Sequence, residues 1–201
     1  FFTSQQFYVK NVPVTALRVS YAGELGWELY TPSEYGERLW EILLEAGKSY
    51  GLRPYGNGAL DALRIEKGFR LWGEDLHTEH TPYQSNLGWA VDLDTEFIGK
   101  DAIKSRQQQP ATAADGGTRA KQVACLTLDD PNASILDNRP VFDVNDDETL
   151  GYIHSAEYGY TVGACVAYSY LPPEYAEPGT DVEILFEGDR YAATVREEPL
   201  I

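Results

Sequence analysis

No methionine occurs among the 201 residues, and cysteine, histidine and lysine are nearly as scarce, at two, three and six. Two cysteines are too few for a thiolate metal cage, and Cys125 and Cys165 lie too far apart for a redox pair. Each sits among apolar or small residues, in VACLTL and VGACVAY, which reads as a buried free thiol. No apolar run approaches the 18 or so residues of a membrane span. The N-terminus also lacks the basic start and apolar stretch of a signal peptide, so a cytoplasmic location is expected. Basic residues are few: 16 against 32 acidic ones, a net charge of −16. Such a field repels phosphate backbones and anionic lipid, which argues against nucleic-acid and membrane partners. The acidic excess runs through the whole chain, the pattern expected of a halophilic protein whose self-repulsion is screened by a salt-rich cytoplasm. Without Met, and opening on Phe1-Phe2-Thr3, the chain is expected to begin inside a longer gene product.

What is present is a globular balance: 43% hydrophobic and 12% aromatic residues, with 14 Tyr and 4 Trp. Residues 12–31 read as two strands around a turn, VPVTALRVSY and then Trp27-Glu28-Leu29-Tyr30, punctuated by Gly23 and Gly26. A helix follows, with Thr31 as N-cap, Pro32 in its first turn and Glu34 completing a capping box. Tyr35, Leu39, Ile42, Leu43 and Ala46 share its apolar face. A second helix, about Gly58 to Lys67, stops at Gly68. Phe69 to Leu87 is a long aromatic-studded loop of the kind that is usually functional, and a short helix runs from about Ile98 to Gln107. A linker is placed at 110–118. Beyond it VACLTL, PVFDV, LGYIHSA, GACVAYSYL, DVEILFE and RYAATVRE alternate with turns, as in a small sandwich or barrel, with a terminal hairpin at Glu187-Gly188-Asp189-Arg190.

Tyr21-Ala22-Gly23-Glu24-Leu25-Gly26-Trp27-Glu28 is the most unusual segment. Its glycines let the backbone turn tightly and approach a ligand. Glu28 emerges on the strand face opposite Trp27 and Leu29, where a carboxylate can accept two N–H donors from a planar heterocycle. From the residues alone, a solvent-facing glutamate is the simpler reading. His77-Thr78-Glu79-His80 lacks the spacing of H-E-x-x-H and reads as loop histidines exposed to water, so no metal is expected. Gly56-Asn57-Gly58 lacks the third glycine of a dinucleotide fingerprint and reads as the start of a helix. There is no G-x-S-x-G elbow.

YAGELGWELY resembles the Y-x-G-E-x-G-x-E signature of the glycine-cleavage T-protein (aminomethyltransferase) family. GLRPYGNGALDALRIEKGFRLWGEDL, TPYQSNLGWAVDLDTEFIGKDAI, GYIHSAEYGYTVGACVAY and DVEILFEGDRYAATVREEP follow in that family's order, so the resemblance covers nearly all of residues 13–199. Trp27 and the E-K-G-F-R-L-W-G run are similar to the folate-binding region of dimethylglycine and sarcosine dehydrogenases and oxidases.

The resemblance implies an α+β chain. Residues 1–109 would be the C-terminal half of a folate domain, an antiparallel sheet with packed helices, and residues 119–201 a small β-barrel. It implies tetrahydrofolate as cofactor, with FAD only in a preceding flavin domain of the same parent, and a small N-methyl amine or aminomethyl donor as the other partner. Tyr21 and Glu28 match the residues that line the folate pocket, the glutamate pairing with the pterin; Glu24 is structural. The catalytic aspartate is expected upstream, so the isolated chain is expected to be inactive. Departures are Leu60, where free-standing T-proteins carry an arginine, Phe69 in place of a tyrosine and Gln84 in place of a glutamate. The alternatives are a folate-binding protein of iron–sulfur assembly without transferase activity, methyl transfer from a sulfonium substrate, or a free-standing T-protein.

Overall fold

The computed structural model describes residues 1–108 and 121–201. The linker expected at 110–118 lies outside the described residues. By Cα packing the chain divides into two compact units, Phe1–Arg64 and Ile65–Ile201.

The first unit holds a three-stranded antiparallel sheet, β1 (Ser4–Val9), β2 (Val12–Leu17) and β3 (Glu28–Tyr30), in that order. Along β2 the side chains of Val12, Val14 and Ala16 are buried in alternation with half-buried neighbours, the period of a strand with one covered face. Helix α1 (Gly36–Gly47) covers part of that face, Leu39 and Ile42 packing with Val12 and Val14 as the spacing predicts. The start of this helix differs from the expectation. A 3-10 turn, Ser33–Tyr35, precedes α1, and Tyr35 rather than Thr31 is its N-cap. The Thr31 hydroxyl donates instead to the Pro13 carbonyl at 2.7 Å, tying the end of β3 to β2. Strand β1 was not foreseen, because SQQFYV is almost wholly exposed and so carries no burial period.

Helix α2 (Asn57–Glu66) ends before Gly68, whose φ of +75° closes it as expected. In the second unit the 68–99 segment leads to α3 (Lys100–Gln108). Six strands then follow: β4 (Gln122–Leu128), β5 (Pro140–Asp143), β6 (Thr149–Gly159), β7 (Ala164–Leu171), β8 (Asp181–Phe186) and β9 (Asp189–Arg196). They close into a barrel in the order β4-β7-β6-β5-β8-β9, with β9 returning to β4. Alternate residues such as Leu126, Val141, Ile153, Ala167, Ile184 and Val195 fill its interior. The other face of β4 and β7 is also buried: Val123, Cys125, Val166, Tyr168 and Tyr170 pack with Ile65 and Leu200. Double coverage explains why these two strands read as continuous apolar runs. Both thiols are free and buried, as expected, and burial pushes each above its ordinary range. The β8–β9 hairpin turns through Glu187 and Gly188, both at positive φ, a geometry suited to two-residue hairpins.

Charge repulsion acts on this framework. Like charges interact over about 10 Å at 0.1 M salt but only about 3 Å at 1 M. The melting temperature should therefore rise steeply between about 0.1 M and 2 M KCl, with about 2–4 °C for each kcal/mol of repulsion relieved. A variant with exposed Asp and Glu replaced by Asn and Gln is the control, because salt also strengthens apolar burial. An equal rise in that variant would remove the salt-adapted reading.

Candidate functional site

Residues 21–26 carry the chain from β2 to β3, and the two glycines of this segment meet separate demands. Gly23 takes a φ of +73°. A Cβ on Gly26 would stand 3.2 Å from Cβ and Oγ of Ser20, a tight contact that a side chain could keep only if Ser20 gave way by a few tenths of an ångström. Arg18 braces the turn. Its Nη1 donates to the Gly26 carbonyl at 2.8 Å, and its guanidinium lies 4.6 Å from the centre of the Trp27 ring.

Glu28, the first residue of β3, pairs with Leu17 and is exposed. Strand alternation sets Glu28 and Tyr30 on one face and Leu29 on the other. The Tyr30 hydroxyl donates to Glu28 Oε2 at 2.6 Å, and this bond to a carboxylate holds the phenol above its ordinary pKa. Tyr21 lies half-buried in the turn that precedes the strand. On the opposite sheet face, beside the part covered by α1, is a cleft of about 380 Å³ lined by Gln5, Phe7, Ala16, Arg18, Trp27 and Leu29. Glu28 does not line it. The sequence did not reveal this cleft, since one wall belongs to the unforeseen β1.

In the second unit the loop after α2 is anchored by buried polar groups. Glu66 Oε1 accepts from the backbone N–H of Thr161 at 2.6 Å and Val162 at 2.9 Å, which holds the turn between β6 and β7. Arg70 pairs with Glu198, donates to the Gly68 carbonyl at 2.9 Å and lies over the Tyr168 ring. Gln84, the departure from a glutamate, accepts from both the backbone N–H and the hydroxyl of Thr81, at 2.9 and 3.0 Å. A carboxylate can accept the same two donors, so the exchange leaves the turn intact. Nothing in the structure explains Leu60 or Phe69 in place of their expected counterparts.

This loop also brings His77 and His80 against His154 of β6. The two loop histidines are half-buried rather than exposed to water, which corrects the expectation from their sequence. No spacing rule points to His154, because it arrives from a different strand.

Two family models match the chain. The GCVT N-terminal domain matches residues 1–95, and the glycine cleavage T-protein C-terminal barrel domain matches residues 121–201. Mitochondrial dimethylglycine dehydrogenase of Mus musculus is 34% identical over 203 residues, covering 100% of this chain and 22% of that protein. The probable aminomethyltransferase of Haloarcula marismortui is 33% identical over 198 residues, covering 96% of this chain and 49% of that protein. Among solved structures, the glycine cleavage system aminomethyltransferase T of Bartonella henselae superposes with a TM-score of 0.81 at 27% identity. That match covers 98% of this chain and 52% of the other. The chain thus spans about a fifth of the dehydrogenase and about half of the aminomethyltransferases.

Proposed function

Because the chain belongs to the glycine-cleavage T-protein family, we propose that it is the C-terminal part of a tetrahydrofolate-dependent one-carbon transferase linked to a flavin-dependent N-methyl amine dehydrogenase or oxidase. The observation that carries this reading is the turn from Tyr21 to Glu28. Its two glycines suit the left-handed backbone at Gly23 and the close approach to Ser20 at Gly26, and the turn delivers a solvent-facing carboxylate at the first position of β3. The match of this chain over its whole length to 22% of dimethylglycine dehydrogenase supports the flavin-linked parent.

Glu28 fits a pterin by the chemistry of its donor set. Tyr30 donates to one of its oxygens, and an ionised carboxylate has capacity for further donors, enough for the paired N–H groups of an amino-pyrimidine edge. Tyr21, half-buried in the turn that leads to Glu28, would be the second residue to hold the pterin. When bound, tetrahydrofolate supplies the nitrogens that take up the one-carbon unit. The role of these residues is orientation, which lowers the barrier by holding the reacting centres in line. The proton-handling aspartate belongs to the part of the folate domain outside this chain, so residues 1–201 alone bind and orient rather than turn over. The residues 1–109 and 119–201 remain our assignment of half a folate domain and its barrel. Leu60, where an arginine is expected, favours a second reading, folate binding without transfer, which turnover by the parent protein decides.

In the parent protein, Glu28→Ala should weaken tetrahydrofolate binding by about 10- to 100-fold, the loss expected for one charged acceptor at about 1.5–3 kcal/mol. Quenching of tryptophan fluorescence during titration reads it out, Trp27 being the adjacent residue. Equal affinities in the two proteins would remove Glu28 from the site.

A further inference from the structure

We propose that His77, His80 and His154 form a binding site for a divalent transition-metal ion of the zinc class. One nitrogen from each of the three rings lies within 4.8 Å of the other two. Three imidazoles with no carboxylate among them suit zinc, cobalt or nickel and do not suit magnesium or calcium, which take oxygen ligands.

The backbone shows how the third ligand is delivered. In the β6–β7 ladder Ile153 pairs with Ser169 and Ser155 with Tyr168, so His154 falls on a bulge between them. A bulge re-aims the side chain it carries. His154 Nδ1 lies 3.0 Å from the Glu74 carbonyl and donates to it. That bond fixes the tautomer and leaves Nε2 with its lone pair, the same outer-sphere arrangement that orients histidines in metal sites. Tyr152 stacks on the His154 ring at 4.4 Å and holds its plane.

On the loop side, His80 is positioned by stacking and His77 only weakly. The His80 ring stacks on Tyr170 at 3.5 Å, and the Tyr170 hydroxyl donates to the Asp75 carbonyl at 2.8 Å. His80 Nδ1 is buried and has no hydrogen-bond partner among the described residues, an unmade bond that a metal would satisfy. His77 Nδ1 accepts from the Glu79 N–H at 3.4 Å, the long limit of such a bond, so its lone pair is only weakly engaged. Burial, reinforced by the other two rings, pulls His80 down to about 4. Burial also lowers His154.

Tetrahedral zinc with Zn–N bonds of about 2.0–2.1 Å needs its ligand nitrogens a little under 3.5 Å apart, closer than the present outer limit. His77 and His80 stand on a turn closed by the His80 N–H to the His77 carbonyl, so modest rotation on the loop side brings the rings in, while His154 stays fixed by the barrel. Since His77 and His80 are only half-buried, water would be the fourth ligand.

Chelator-stripped protein should bind one Zn²⁺ per chain at micromolar or lower concentration by calorimetry. With Co²⁺ it should show the intense visible bands of tetrahedral nitrogen coordination. His77→Ala and His80→Ala should each weaken Zn²⁺ binding at least about tenfold, whereas Thr78→Ala, on the exposed turn between them, should not. Zn²⁺ should raise the melting temperature of the wild type and lose that effect in both histidine variants. His77→Ala keeps the test informative if loss of the more buried His154 disturbs folding. Absence of saturable Zn²⁺ binding, or unchanged affinity in folded His77→Ala, would overturn the site and leave a stacked aromatic cluster that packs the loop on the barrel.

Discussion

Gly151→Ala should destabilise the barrel by about 3 kcal/mol, the upper range for overpacking a close-packed interior. A Cβ at this position would lie 2.5 Å from the backbone carbonyl oxygen of Tyr170 and 3.1 Å from Ser169 Oγ. The first of these is main chain on the neighbouring strand, so the clash can be relieved only by parting β6 from β7. Urea unfolding of the purified chain reads the loss as a lower midpoint at unchanged slope. Gly36→Ala is the control: it lies at the start of α1, nothing stands within 4 Å of its added methyl, and its helical φ of −56° suits alanine. That variant should be neutral or slightly more stable. Equal stability of the Gly151 variant and the wild type would mean that the register drawn between β6 and β7 is wrong.

The second large effect belongs to Glu66. The residue is 1% exposed, and one of its carboxylate oxygens receives two backbone N–H groups. Glu66→Ala removes both bonds, at Thr161, which is exposed, and Val162, which is half-buried, a loss of up to about 3 kcal/mol at roughly 1.5 kcal/mol for each charge-assisted bond. Glu66→Gln keeps a carbonyl oxygen for the same donors and should lose about half as much. Amide hydrogen exchange at Thr161 and Val162 separates a local from a global effect, since only those protons are released first if the turn alone opens. Unchanged exchange at both amides in Glu66→Ala would show that the carboxylate does not hold the turn.

Glu66 was legible in the sequence only as part of a family-like run, and the reason is instructive. Its partners are main-chain amides at the far end of a hairpin, and backbone donors leave no mark on residue type. The same holds for Gly151, where the neighbour that forbids a side chain is a carbonyl. The barrel strands, by contrast, were legible because burial acts on side chains: VACLTL and GACVAYSYL are apolar on both faces since both faces are covered. Helix α1 was found from its apolar face but not its start, because Thr31 offers a hydroxyl to whichever acceptor is nearest, and tertiary packing supplied the Pro13 carbonyl. For the candidate site, the order Tyr21 to Glu28 and the strand face of Glu28 followed from glycine placement and strand alternation. The cleft beneath Leu29 and the meeting of His154 with the 77–80 loop needed the fold itself.

Closure of the barrel through β4 and β9 has a kinetic consequence. The hairpins β6–β7 and β8–β9 join neighbours in sequence and are contacts of the kind that form within microseconds. The seam between the first and last barrel strands joins residues such as Asp129 and Thr194, 65 positions apart. Bringing such ends together requires a large loss of chain entropy before any ladder bond is gained. During synthesis β4 must therefore wait, its edge unpaired on the side that β9 will occupy, until the last strand has emerged. Over that interval the apolar edge of β4 is open to pairing with another copy.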